Sequence, residues 1–213
     1  MSNNHHNTNR LTSAEMGKLW VAYTGNTMAT CVLSYYLQHV EDRDIKKVVA
    51  KALKLSEKLV NNIRDIFMQE KFPIPIGFTE EDVNLGAPRL FADEFYLHYL
   101  KYTSKAGMSI YAIAIPIMTR KDTRNLFIET FHETEKLINE VNDTLMKKGF
   151  YTPPPQIPIP EKVDFISKQN YLNGFFGDIR SLHALEIAHL YDDNENNTAS
   201  KALLIGFSQV AKK

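Results

Sequence analysis

Phe72-Pro73-Ile74-Pro75-Ile76-Gly77-Phe78 opens a polar, helix-breaking stretch that runs to Pro88, and its length decides how the chain folds. Proline cannot donate a backbone hydrogen bond and pushes the residue before it toward extended backbone, so the preceding helix must stop here. The stretch is much longer than the few residues that join adjacent antiparallel helices. It is long enough to return the chain to the other end of a bundle. The helices on either side can then run parallel, which is the ferritin-like arrangement.

Working outward, residues 44–70 carry Ile45, Val48, Val49, Ala52, Leu59, Val60, Ile63, Ile66 and Phe67 on one stripe, with Lys46, Lys47, Lys51, Lys54, Lys58 and Arg64 opposite. That spacing predicts an amphipathic helix. Upstream, Thr12-Ser-Ala-Glu15 has the form of a capping box, and Met16, Leu19, Trp20, Tyr23, Cys31, Leu33 and Leu37 recur at three- and four-residue steps, predicting a helix over 12–40. Downstream, residues 89–117 are apolar around most of the circumference, with Glu94, His98, Lys101 and Lys105 on one narrow polar strip. This should be the most buried helix. Thr119-Arg-Lys-Asp122 resembles a second capping box and opens a helix over 121–148 that Gly149 would stop.

Tyr151-Thr-Pro-Pro-Pro-Gln-Ile-Pro-Ile-Pro160 reads as a proline-rich, semi-rigid linker. Beyond it the chain repeats itself. A shift of 171 residues pairs Leu11 with Leu182, Glu15 with Glu186, Leu19 with Leu190, Asn26 with Asn197, Thr27 with Thr198, Leu33 with Leu204 and Gln38 with Gln209 without a gap. Seven identities in thirty positions exceed the roughly two that ordinary composition would give. The expected organisation is a disordered tail over 1–10, a ferritin-like four-helix bundle over 11–150, a linker over 151–180, and over 181–213 the first helix of a truncated second bundle.

Several strings resemble the bacterial "domain of unknown function 3231" proteins of spore-forming Gram-positive bacteria. They are Leu11-Thr-Ser-Ala-Glu15 with Leu19-Trp20, the run from Phe72 to Leu85 followed by Ala87-Pro-Arg-Leu-Phe91, Pro160-Glu-Lys-Val-Asp-Phe165, and Lys201-Ala-Leu-Leu-Ile-Gly-Phe-Ser-Gln-Val-Ala-Lys212. The resemblance covers nearly everything after residue 10. It implies two tandem ferritin-like bundles, from which this chain departs by carrying only the start of the second. It implies no activity.

Composition excludes more than it assigns. Lys plus Arg equals Asp plus Glu at 25 each and the pI is about 7.1, so no global field attracts nucleic acid or an anionic membrane. Cys31 stands alone and cannot form an internal disulfide, and the N-terminal residues lack a signal peptide's apolar core. The apolar run from Met108 to Met118 falls short of a membrane span and contains Pro116. A cytoplasmic protein is expected.

A ferritin-like fold raises the possibility of a di-metal site built from inward Glu residues and Glu-x-x-His pairs. Glu129 and His132 have that spacing but point away from the Phe127, Phe131, Ile138 and Val141 stripe, and Glu57 lies off the second helix's apolar face. Glu94 and His98 lie one turn apart, but the lysines on their strip would repel a cation. His5 and His6 sit in the tail. These read as surface residues, and no metal or other cofactor is expected. Glu15 reads as a helix cap, and Cys31 as a small buried hydrophobe.

Small hydroxyl residues interrupt the inward stripes: Thr27, Thr30, Ser34, Ser56, Thr130 and Thr134. They predict either locally bonded core hydroxyls or a polar interior cavity that binds water or an uncharged ligand. The functional expectation is a non-catalytic structural or interaction module, forming a homo-oligomer or binding a protein partner through helix three and the C-terminal helix. The alternatives are a ferritin-like metal-binding oxidoreductase, or a carrier holding a small ligand in the bundle interior.

Overall fold

The computed structural model describes residues 10–163, 165 and 181–210. Its helices are α1 (Ser13–His39), α2 (Arg43–Gln69), α3 (Asp93–Ala114), α4 (Lys121–Lys147) and α5 (Ala184–Ser208), and the described residues contain no strand. The chain divides into two compact units: Met1–Tyr151 with Gly206–Lys213, and Thr152–Ile205. The tail residues 1–9, with His5 and His6, and most of the expected linker beyond Val163 lie outside the described residues.

The bundle order follows from what meets at each end. Backbone N–H groups of Glu41 and Asp42, between α1 and α2, donate to the Asp93 carboxylate at the start of α3. So α3 begins where α2 begins, and the two run parallel. Lys148 after α4 reaches Asp42 before α2 at 2.6 Å, while Arg120 before α4 pairs with Glu70 after α2. Helix α4 is therefore antiparallel to α2. The result is up, down, down, up, with the long segment 70–92 as the crossover.

Helix α3 starts later than its apolar pattern predicts. The Tyr35 hydroxyl donates to the Pro88 carbonyl at 2.6 Å and accepts from Leu90 N–H at 3.1 Å, pinning those residues before the helix. Of the four bundle helices α3 nevertheless presents the fewest exposed positions. Helix α4 carries the other correction. Arg120 is its N-cap and makes no side-chain cap bond, and Asp122 engages the Arg120 guanidinium instead. What caps α4 comes from α1, as described below.

The core follows the stripes. Ile45, Val49, Ile63 and Phe67 of α2, Leu19 of α1, Leu97 of α3 and Phe127, Val141 and Leu145 of α4 are all fully buried. Each such side chain contributes about 1.5–3 kcal/mol. Near the α3 start, Tyr36 packs among Phe91, Tyr96 and Tyr99, fully buried, and its hydroxyl has no partner among the described residues. Burial holds that phenol far above its ordinary pKa, so it stays neutral.

The second unit, taken by itself, holds most of α5. Its start repeats the box that opens α1: His183 N–H donates to Glu186 at 3.0 Å, and Glu186 N–H donates to His183 Nδ1 at 3.3 Å. These are the positions that Thr12 and Glu15 occupy one repeat earlier.

Helices α2 and α4 end in the same motif with different residues at its left-handed position. At α4, Gly149 has φ +75°, with Phe150 N–H bonded to Leu145 O and Gly149 N–H to Met146 O. At α2, Lys71 has φ +55°, with Phe72 N–H bonded to Phe67 O and Lys71 N–H to Met68 O. A Cβ is strained there and glycine is not. Lys71→Gly is expected to raise stability by about 0.5–1 kcal/mol, and Gly149→Ala to lower it by about 1 kcal/mol, read from urea denaturation midpoints.

Candidate functional site

The most heavily bonded side chain described is Glu15, on the first turn of α1 and fully buried. Its Oε2 accepts from the Thr12 N–H at 2.8 Å and the Thr12 hydroxyl at 2.9 Å, completing the predicted box. Its Oε1 accepts from Thr119 N–H at 2.9 Å, Arg120 N–H at 2.8 Å and the Thr119 hydroxyl at 3.1 Å, with the Thr123 hydroxyl also 3.1 Å away. One carboxylate thus caps α1 and supplies the cap that α4 lacks. Burial by itself raises the Glu15 pKa, but the bonds from the Thr12 and Arg120 backbone and the Thr12 and Thr119 hydroxyls outweigh it and hold it at about 2. A carboxylate so saturated has no lone pair left for chemistry. Its role is architectural.

The six expected interior hydroxyls are distributed over separate places. Thr27 lies against the crossover: its Oγ1 accepts Phe78 N–H at 3.1 Å and donates to Thr24 O. Gly77 permits that approach, since a Cβ there would lie 2.7 Å from Thr27 Oγ1. Thr27, Thr30 and Ser34 line a groove of about 520 Å³ between α1, α2 and the crossover. Thr130 and Thr134 return their hydroxyls to Leu126 O and Thr130 O, one turn back. Ser56 and Thr134 line a second opening of about 230 Å³, between α1 and α3.

Cys31 is half-buried at the groove rather than in the core, its Sγ 3.2 Å from Thr79 O. Burial first, and then the charges of Asp82 and Glu80, push its pKa up, which disfavours the thiolate. The metal-ligand candidates stay apart. His132 is exposed and lies 3.4 Å from Glu135, Glu129 is exposed, and His98 meets Glu94 at 3.6 Å on the surface. Among the described residues, no three His, Cys, Asp or Glu side chains gather as a metal site would require. No described helix is long and apolar enough to cross a membrane.

The α1–α3 opening was not legible as a whole. Ser104 and Tyr111 of α3 share it with Asn26 of α1, whose amide donates to Ala22 O at 2.8 Å and to the Tyr111 hydroxyl at 3.3 Å. None of the residues lining it is charged.

A family model described as a protein of unknown function, DUF3231, matches residues 1–163. The chain belongs to the DUF3231 family. Among curated proteins none matches it. A solved structure from Bacillus halodurans C-125, described as a candidate spore coat protein, is similar at a TM-score of 0.63 and 16% identity. The match covers 70% of this chain and 96% of that one, and at this identity it shows the fold alone.

The Glu15 network makes a prediction for this DUF3231 chain. Its folded pKa of about 2 lies below the ordinary 4.5, so the stability it gives is complete above pH 4.5 and is lost as pH falls from there toward 2. The difference is on the order of 3 kcal/mol. Glu15→Gln turns an amide NH₂ toward backbone donors and is expected to cost several kcal/mol at pH 7 and to flatten the stability profile between pH 4.5 and 2. Urea titrations of both proteins across that range test this. Parallel pH profiles would contradict it.

Proposed function

We propose that this chain is a non-catalytic packing module of ferritin-like fold that assembles with copies of itself through α5 and α3. The observation that carries the proposal is the contrast between the two halves of the repeat. Leu19 and Leu33 of α1 are 0% and 3% exposed, while their equivalents Leu190 and Leu204 of α5 are 56% and 71% exposed. Helix α5 carries the residues that α1 uses to build a core and leaves them uncovered. Isolated helices of this length are marginal in water, and most persist only when an apolar face is packed. On α3 and the turn after it, Ile113 and Ile117 are also exposed.

Two further observations support a packing role. The most deeply bonded group, Glu15, is committed to holding helices together. The solved Bacillus halodurans neighbour is described as a candidate spore coat protein, a structural role that fits a packing module.

Size-exclusion chromatography with light scattering tests the proposal. The full chain is expected to run at a multiple of 24.4 kDa, and the double variant Leu190→Glu, Leu204→Glu as a monomer with unchanged helicity. A full chain that stays monomeric at all concentrations would overturn it.

A further inference from the structure

The strongest inference beyond assembly comes from the middle of the bundle, where α1 and α3 touch only sparsely. Small residues leave the gap between them unfilled: Ala22, Gly25 and Ala29 on α1, Ala106 and Gly107 on α3, with Ala52 of α2 behind. The opening of about 230 Å³ exceeds the roughly 150 Å³ that suffices for benzene in a protein interior.

Its polar groups are unevenly used. The Thr103 hydroxyl donates to Tyr99 O at 2.9 Å, Thr134 donates to Thr130 O at 2.8 Å, and the Tyr111 oxygen accepts from Asn26. Ser56 and Ser104 differ. They are 7% and 6% exposed and line the opening, and among the described residues neither hydroxyl makes a hydrogen bond, its oxygen staying open to the cleft. A helical serine ordinarily returns its hydroxyl to the carbonyl one turn back, as both threonines do here. With no charged residue in the lining, an ion entering would lose its hydration uncompensated.

We infer that this cleft is a binding site for a small uncharged molecule with an apolar body of about six to ten heavy atoms and one hydroxyl or carbonyl group, received by Ser56 and Ser104. The small residues set the size, the missing charges exclude ions, and the two serines fix the orientation. The inference is independent of the assembly proposal, because every lining residue lies in the first unit.

The test uses the full chain, with benzyl alcohol, toluene and benzoate as probes, followed by amide chemical shifts and by thermal shift. Benzyl alcohol is expected to bind saturably, with shifts centred on residues 22–29 and 100–111, and benzoate not to bind. In the Ser56→Ala, Ser104→Ala variant the affinity for benzyl alcohol is expected to fall about five-fold relative to that for toluene, the equivalent of one neutral hydrogen bond.

Gly25→Leu supplies the control. Nothing lies within 4 Å of a Cβ added at Gly25, so the new side chain enters open space at the cleft and removes a helix-weakening glycine. It is expected to abolish binding while keeping or raising the melting temperature. No saturable benzyl alcohol binding would show that the cleft holds water only, an equal loss of both probes in the double-serine variant that the serines do not receive the polar group, and undiminished binding in Gly25→Leu that the probe sits elsewhere; each would overturn the inference.

Discussion

The fold depends on one buried carboxylate. A helix begins with unpaired N–H groups, and where helix starts are buried together those donors must be satisfied from within. Glu15 satisfies donors at the starts of both α1 and α4. Because α1 and α4 are the first and last helices of the bundle, this contact closes a loop of more than a hundred residues at a single group. Neighbouring Arg120 adds the end of α2 through Glu70. Three of the four helices therefore register at one polar centre, and the apolar stripes are aligned as a consequence.

The opposite end is held by a second acidic group. Asp93 accepts the N–H groups of Glu41 and Asp42 and takes the Arg89 guanidinium at 2.9 Å, so the start of α3 is fixed against the turn between α1 and α2. Polar staples at both ends set the helix spacing. That division explains how the middle tolerates so many small residues. Ala22, Gly25, Ala52 and Gly107 would invite α1 and α3 to collapse together, but helices fixed at their ends can span a cleft that apolar attraction alone would close.

Much of this was legible in the sequence and some was not, for definable reasons. Helical periodicity gives a side chain's direction, so the α2 stripe and the bundle order could be read from residues 44–88. The Thr12–Glu15 box is local and could be read too. Glu15's second task could not, because Thr119 and Arg120 lie more than a hundred residues away and their string imitates a cap of its own. The hydroxyl residues show the same limit. Thr27 and Thr134 both point inward by the wheel, yet one secures the crossover and the other lines the α1–α3 opening, and periodicity cannot say which neighbour a direction meets. Ser104 is a lone serine on an apolar helix and carries no signal in the sequence until its place at the cleft is seen.

The repeat is informative in where it keeps its identities. Of the residues shared between α1 and α5, Glu15, Leu19, Thr27 and Leu33 are buried in α1, and Asn26 is bonded to Tyr111 of α3. The exposed residues Trp20, Val21 and Met28 of α1 are not retained, giving way to Tyr191, Asp192 and Ala199. Identity is more frequent at the buried positions of α1 than at its exposed ones, although buried Ala22, Tyr23 and Tyr35 give way to Asp193, Asn194 and Gly206 and exposed Gln38 is kept as Gln209. The cap is retained as an interaction even where its partner residue has changed, since His183 replaces Thr12 and still accepts from the glutamate N–H. A helix that keeps Leu190, Leu204 and the cap retains part of the apolar face with which α1 builds its core. The uncovered leucines of α5 then follow from the same constraint that buries those of α1.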